Sequence, residues 1–442
     1  MTANFGFVNG KNVQMFTDLY ELTMAQCYYE MNRNVNASFE IFVRKMPKNR
    51  GYLISAGLEQ VCHYLKNFRF SKEDIEYLAT LGFHEKFLRY LSKLKFNGNV
   101  FALPEGEVFF ANEPVLRVEA PIIQAQIFET ALLNIINFQT LIATKASRIV
   151  QAACNKPVVD FGSRRAHGLD AGIKAARASY IAGFAGTSNV LAGKIYKIPV
   201  FGTMAHSFVQ IFPNELDSFK AWTRCYNADT ILLIDTYDTI KGALNAANIA
   251  ARLRKEGKKL KGVRIDSGDL LTISKKVRKL LDSNGLEHVK IFASGGLDEY
   301  KIAKLIRNKA RIDAFGVGTN LVVSSDMPCL DIAYKLVECK EGKQIIPKMK
   351  IAEDEKITLP GAKQIFRVER HGKYVYDIIG LSNETLEGEA KLVPVFRNGI
   401  LVYELPTIEE IRKNTKKNLE KLPGKYKRIK DPDVYPVKMS KK

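Results

Sequence analysis

The sequence predicts an α/β protein built on a parallel barrel, with differently patterned chain before and after it. Three observations carry this. Short β-branched apolar runs recur at Pro157 to Phe161, Pro199 to Phe201, Ile231 to Ile234, Val263 to Ile265, Val289 to Phe292 and Ala314 to Val317. Helical patterns such as Thr239 to Lys255 and Leu270 to Leu281 lie between several of them, and strand-helix alternation at roughly 30-residue intervals means a parallel sheet. Six or seven such units, counting a further short strand near Phe184, favour closure into a barrel.

The flanking chain reads differently. The first ~120 residues mix strands (Ala37 to Arg44, Asn99 to Ala102) with helices (Asp18 to Met31, Lys72 to Leu81) and end among Pro104, Pro114 and Pro121. Apolar recurrence then predicts one long helix from about Ile123 to Cys154. Beyond the barrel come strand-like segments at Ala333 to Val337, Val375 to Ile379 and Leu392 to Phe396, then a helix near Ile408 to Leu419. These limits give three segments, 1–121, 122–335 and 336–442. The last is either a third domain or chain that folds back on the first.

Composition narrows the class. At 442 residues the chain is too long for one ordinary core. The longest apolar stretch, Ile122 to Thr144, is broken by Glu129, Asn134, Asn137 and Gln139, which argues against a membrane span. The opening Met1-Thr2-Ala3-Asn4, with Asp18 and Glu21 following, does not read as a signal peptide. Six cysteines without a C-x-x-C pair predict neither a disulfide framework nor a zinc knuckle, and suit a reducing cytoplasm. A formal charge of +20, from 67 basic and 47 acidic residues, implies attraction to polyanions, a highly phosphorylated substrate among them. The lysine-dense tail from Lys416 to Lys442 has little aromatic interleaving and reads as solvated surface rather than as an RNA-binding face.

In such folds the strand ends carry the chemistry. Asp160-Phe161-Gly162-Ser163-Arg164-Arg165 ends the first barrel strand with two guanidiniums, forks matched to carboxylate or phosphate. Gly186-Thr187-Ser188-Asn189 opens a helix with a glycine-hydroxyl turn, in which Ser188 either faces an anion or caps the helix. Gly202-Thr203-Met204-Ala205-His206-Ser207 places an imidazole past a strand end with no second histidine at zinc spacing. Asp235, at the end of the next strand, is expected to orient that ring and make a base or a phosphate nucleophile of it. Ile231 to Thr239 lacks the paired acids and Thr-Gly of a type I phosphoribosyltransferase loop. Arg264 and Asp266 sit two apart and so share a strand face. Ala293-Ser294-Gly295-Gly296 and Gly316-Val317-Gly318-Thr319-Asn320 end the last two strands as glycine-rich turns leading into helices, the phosphate site of such barrels.

These motifs, together with Thr17-Asp18-Leu19-Tyr20-Glu21-Leu22-Thr23-Met24 near the start, resemble in order and over nearly the whole length the nicotinate phosphoribosyltransferase family. The resemblance implies the type II phosphoribosyltransferase fold, an irregular α/β barrel plus an α/β sandwich domain that the C-terminal segment joins. It also implies a homodimer with shared active sites. The implied reaction, of a ligase-type class, joins nicotinate to 5-phosphoribosyl 1-diphosphate. It gives nicotinate mononucleotide and pyrophosphate for NAD biosynthesis, with Mg²⁺ and with ATP hydrolysis coupled through a phosphohistidine at His206.

By motif position, Tyr20 of a neighbouring subunit and Phe161 would stack on the pyridine ring. Arg164, Thr203 and Arg264 would hold its carboxylate and Asp266 the ribose, while Ser294, Gly295, Gly296, Gly318 and Thr319 would take the ribose-donor phosphate. Relatives acting on nicotinamide place an aspartate at the position of Ser188. An aspartate there would accept from the amide and repel the acid, so Ser188 favours nicotinate over the alternative, nicotinamide phosphoribosyltransferase. A basic RNA-binding barrel protein is the reading from another class, and the paired phosphate turns argue against it.

Overall fold

The computed structural model describes residues 6–226, 230–350 and 359–441. The opening Met1-Thr2-Ala3-Asn4 and the final lysine of the tail lie outside them. The chain divides into two compact units, one of residues 1–144 with 329–442 and the other of residues 145–328. The sequence-derived limits at 121/122 and 335/336 therefore differ from the unit limits at 144/145 and 328/329.

The first unit holds a seven-stranded antiparallel sheet in the order Gln344–Pro347, Ile332–Glu341, Asn36–Val43, Leu116–Pro121, Asn99–Ala102, Val393–Arg397, Ile400–Leu401. Strands from late in the chain thus flank strands from its start within one sheet. The central Asn36–Val43 strand is buried along seven of its eight residues, so its Glu40 needs a partner, and Lys363 Nζ meets it at 2.8 Å. A second, four-stranded sheet is built from Glu389–Ala390, Lys363–Arg370, Lys373–Leu381 and Val437–Met439. The helix at Ile408–Lys421 starts on a Thr407/Glu410 capping box. In the same lysine-dense region Lys421 pairs with Glu369 and Lys425 with Asp433.

The helix expected from Ile123 to Cys154 is two helices, Ile122–Ile127 and Glu129–Ala152. The second needs its own N-terminal acceptor, and Glu21 supplies one: Oε1 takes the N–H of Thr130 at 3.0 Å. The Leu19–Glu30 helix that carries Glu21 begins at its N-cap Asp18, whose carboxylate accepts from the Thr130 hydroxyl at 2.7 Å.

In the second unit six parallel strands form one sheet: β1 Val158–Asp160, β2 Gly186–Thr187, β3 Ile231–Leu233, β4 Gly262–Ile265, β5 Lys290–Ala293 and β6 Ala314–Val317. Their order is β2-β1-β6-β5-β4-β3, and Val200 adds a single parallel bridge to Thr187 at the free side of β2. Sheet neighbours are thus neighbours in the chain, except that β1 pairs with β6, the first strand of the series with the last. Among the described residues no ladder joins Val200 to β3, so the barrel is irregular, with one open seam.

The strand expected at Pro199 to Phe201 is reduced to that bridge. Pro199 accepts from Thr187 N–H but has no N–H to donate, and only Phe201 returns a bond to Thr187. Elsewhere the strands are short, apolar and buried because helices cover their outer faces; Leu232, Leu233, Val263, Ile265 and Ile291 share a core with Ala243, Ala246, Ala250 and Leu253 of the Thr239–Lys255 helix. Each of three helices after a strand starts on an aspartate, Asp238, Asp269 and Asp298, whose carboxylate accepts a backbone N–H. Among the described residues no helix is long and apolar enough to cross a membrane.

Candidate active site

Because the strands are parallel, their C-terminal ends open on one side, and there they line a cavity of about 460 Å³. Its walls include Phe161, Arg164, Arg165, Ser188, Thr203, Arg264, Asp266, Ser294, Gly295, Gly296, Gly318 and Thr319. That volume lies in the range of small-molecule sites.

An aromatic ring forms part of the wall. Phe161 follows β1, and its ring lies against β6 where Gly316 leaves room: a Cβ on Gly316 would meet the ring at 2.5 Å. Phe292 supports it from a centroid distance of 5.8 Å. Buried Asp160 shapes the neighbouring turn by accepting from Gly162 N–H and from the Thr187 hydroxyl, each at 2.7 Å. Burial raises its pKa, and those two bonds oppose the rise.

Arg264 donates from one terminal nitrogen to Thr203 Oγ1 at 2.6 Å. Its Nε–H is buried without a hydrogen-bond partner, at a cost of roughly 1–3 kcal/mol. Burial lowers the guanidinium pKa, Asp266 and Asp235 oppose that, and Arg164 adds to it. The group still remains cationic at neutral pH. Ser188 lines the cavity and does not cap the helix that follows. Asn189 does, accepting from Ala192 N–H at 2.9 Å.

Glycine turns form another part of the wall. The turn after β5 holds Gly295 at φ +96°, where a Cβ would sit 1.9 Å from the carbonyl oxygen of Asp266. No other residue fits there. Ser294 donates its hydroxyl to Asp266 Oδ1. Behind the turn, buried Glu299 opens the Glu299–Arg307 helix and is held by Lys145 at 2.6 Å and Arg148 at 3.1 Å.

His206 begins a short helix beside this cavity. Its Nδ1 lies 3.1 Å from Thr236 Oγ1 and its Nε2 4.0 Å from Asp266 Oδ2. The expectation that Asp235 orients the ring is corrected here. The Asp235 Oδ2 accepts from Asp266 N–H at 2.8 Å and from Ser267 at 2.7 Å, so the carboxylate is turned along the sheet to β4 and the next residue, Thr236, faces the imidazole. Thr236, Ser267 and Asp160 were not singled out by sequence reasoning; their hydroxyls and carboxylate lie within quoted motifs, but only the direction of the chain after each strand gives them partners.

Tyr20 is not among the residues lining the cavity. It lies in the other unit, on the Leu19–Glu30 helix, and remains 46% exposed. Burial of the phenol and the nearby Glu129 carboxylate push its pKa up.

The chain matches the family model described as nicotinate phosphoribosyltransferase over residues 157–366, with the N-terminal domain model of that family over 15–137 and its C-terminal domain model over 384–442. It is 48% identical to nicotinate phosphoribosyltransferase pncB2 of Mycobacterium tuberculosis (strain ATCC 25618 / H37Rv), covering 96% of this chain and 91% of that protein. It is 40% identical to the nicotinate phosphoribosyltransferase of Bacillus subtilis (strain 168), covering 99% and 94%. The crystal structure of human nicotinic acid phosphoribosyltransferase superposes with a TM-score of 0.86 at 29% identity, covering 96% of this chain and 98% of that one.

Proposed function

The chain belongs to the nicotinate phosphoribosyltransferase family, and on that premise we propose how its own residues divide the work. The enzyme joins nicotinate to 5-phosphoribosyl 1-diphosphate, releasing nicotinate mononucleotide and pyrophosphate on the route to NAD.

The observation that carries the assignment of roles is the Arg264 guanidinium at the wall of the cavity beside Phe161 and Arg164, oriented by Thr203. A carboxylate placed against it accepts a charge-assisted bond. Phe161 stacks on the pyridine, Arg264 and Arg164 take the carboxylate, and Thr203 fixes the Arg264 fork. Ser188 leaves that wall uncharged, which suits the acid. Gly295, Gly296, Gly318 and Thr319 receive the 5-phosphate through backbone N–H groups and the Thr319 hydroxyl, with Ser294, whose hydroxyl is on Asp266, beside them.

In the transfer the pyridine nitrogen forms a bond to the anomeric carbon as the bond to pyrophosphate breaks, and the bonding pair leaves with pyrophosphate. Positive charge builds on the ribose meanwhile, and the Asp266 carboxylate at the cavity wall stabilises it. Ser294 holds Asp266 in place through the hydrogen bond to Oδ1.

Two additions rest on the same reading. Asp235 Oδ1 is buried without a hydrogen-bond partner, and beside it Asp266 offers a second hard oxygen donor. These are the residues that would hold Mg²⁺, which would neutralise the leaving pyrophosphate. His206 accepts the γ-phosphoryl of ATP as the bond to the bridging oxygen breaks and ADP leaves, with Thr236 holding the ring at Nδ1. The working form is a cytoplasmic homodimer in which Tyr20 of the partner subunit covers the second face of the pyridine. A coupled assay of pyrophosphate release tests the whole, with nicotinate and nicotinamide compared, each with and without ATP. Release with nicotinate, stimulated by ATP, is expected. Equal turnover of nicotinamide would overturn the substrate assignment, and indifference to ATP would overturn the role of His206.

A further inference from the structure

The two glycine turns that end β5 and β6 are tied to each other by one side chain. Asn320 Nδ2 donates to the carbonyl of Gly296 at 3.1 Å and to that of Leu297 at 3.0 Å. Its Oδ1 accepts from Ser325 at 2.9 Å, which fixes the amide orientation. The same Gly296 carbonyl also accepts from Lys301 Nζ at 2.6 Å. Ser294, Gly295 and Gly296 of one turn and Gly318 and Thr319 of the other line the cavity, whereas Asn320 and Lys301 are not among its lining residues.

We propose that Asn320 is the positioning residue of the phosphate subsite, acting through the two turns without touching the ligand. The argument starts from the peptide bond. A trans peptide is planar, with its C=O and N–H pointing in opposite directions. Drawing the Gly296 and Leu297 carbonyls towards Asn320 therefore fixes the two peptides that follow Gly296, and so anchors the end of the turn that carries the Gly295 and Gly296 N–H groups. Gly295 and Gly296 have φ of +96° and +58°, and glycine peptides in that region rotate at little steric cost. A turn of this kind holds an anion well only if its peptides are already aimed, because ordering them on binding would weaken the affinity. The other half of the subsite starts at Gly318, and Asn320 sits on the short Thr319–Val322 helix that follows it. One amide thus sets the spacing between the two halves.

This inference rests on the reading that this part of the cavity takes the 5-phosphate of the ribose donor. Steady-state kinetics on the full-length enzyme test it with three variants. Asn320→Ala should raise the KM for 5-phosphoribosyl 1-diphosphate about tenfold, as expected for the loss of two amide bonds, with kcat within about twofold and the nicotinate KM little changed. Asn320→Asp keeps the shape but turns an acceptor towards two carbonyls, and should be at least as damaging. Thr319→Val serves as the reference for direct contact. A melting temperature within a few degrees of the parent keeps a folding defect from being read as a binding one. If Thr319→Val raises the donor KM and neither Asn320 variant does, the positioning role is overturned and the phosphate site stands. If none of the three moves it, the phosphate site itself falls, and the inference with it. Wild-type behaviour of Asn320→Asp alone would show that Nδ2 donation is immaterial, and would also overturn it.

Discussion

The imidazole of His206 faces the hydroxyl of Thr236, 3.1 Å from Nδ1, while the carboxylate one residue earlier, Asp235, is spent on the backbone and hydroxyl of the next strand end. Nε2 lies 4.0 Å from Asp266. The ring is therefore held at one nitrogen by a neutral group, with its other nitrogen towards the cavity wall.

His206→Ala should abolish ATP hydrolysis and its stimulation of transfer, leaving slow uncoupled transfer in place. Thr236→Val should slow phosphoryl transfer to the enzyme by about three- to tenfold, the worth of one hydrogen bond, and Thr236→Ser should restore it. Incorporation of label from γ-phosphate-labelled ATP measures both. Label on a residue other than His206 would sink the assignment.

Ser188→Asp should raise the nicotinate KM on the order of tenfold or more, since two carboxylates a few ångströms apart in a partly dry cavity repel by a few kcal/mol. Nicotinamide has no such charge, and its use should hold or rise. The helix cap belongs to Asn189, so the variant should melt within a few degrees of the parent. An unchanged nicotinate KM in a well-folded variant would show that Ser188 does not face the substrate carboxylate.

Glu21 gives the first unit a pH-dependent stability term. Burial pushes its carboxyl up to about 7, against the bonds from Thr130 and Thr17 that favour ionisation. Between the ordinary carboxylate pKa and about 7 the folded state keeps a proton that the unfolded chain has lost. The group therefore favours folding at low pH and costs stability as pH rises through that window. Glu21→Gln keeps the neutral shape at every pH. Its melting temperature relative to the parent should climb from pH 5 to about pH 7 and level off above. A difference that stays flat across this range would mean that Glu21 titrates as an ordinary surface acid.

Much of this could be read from the residues, for definite reasons. Barrel strands buried on both faces show as unbroken β-branched runs, so Ala314–Val317 and the Thr239–Lys255 helix have the limits read from the sequence. The break between Ile127 and Glu129 was hidden because apolar periodicity continues through Phe128, while the acceptor that starts the second helix, Glu21, is 109 positions from Thr130. Pro199 to Phe201 has strand composition but lacks the donor a ladder needs. Within the site, glycine turns and paired guanidiniums announced the strand ends. The sequence reading gave the ring to Asp235 rather than Thr236 and left Ser188 either facing an anion or capping the helix that Asn189 in fact caps, because each position has a second suitable side chain next to it. Which one turns inwards depends on how the chain leaves the strand.

Tyr20 is carried by a helix of the other unit, is not among the residues lining the cavity, and is 46% exposed. An exposed phenol has a bland reading as surface. Against that, Phe161 offers the pyridine one face only, and a flat ring binds best between two. If Tyr20 of the partner subunit supplies the other face, Tyr20→Ala should raise the nicotinate KM roughly tenfold, for loss of a stacking contact of about 1 kcal/mol or a little more, with the donor KM little changed. A mixing experiment separates the shared site from one within a chain. Tyr20→Ala and His206→Ala homodimers each lack one residue at both sites. In a mixed dimer one composite site lacks both, and the other keeps Tyr20 from the His206→Ala chain together with His206 from the Tyr20→Ala chain. With nicotinate well below its KM, where Tyr20→Ala dimers run at about a tenth of the parent rate, ATP-stimulated pyrophosphate release should therefore rise on mixing, towards a quarter of the parent rate when half of the dimers are mixed and each holds one intact site out of two. Mixed dimers that form, as shown by differently tagged chains, and yet recover no activity would mean that Tyr20 acts within its own chain or has no part in the site.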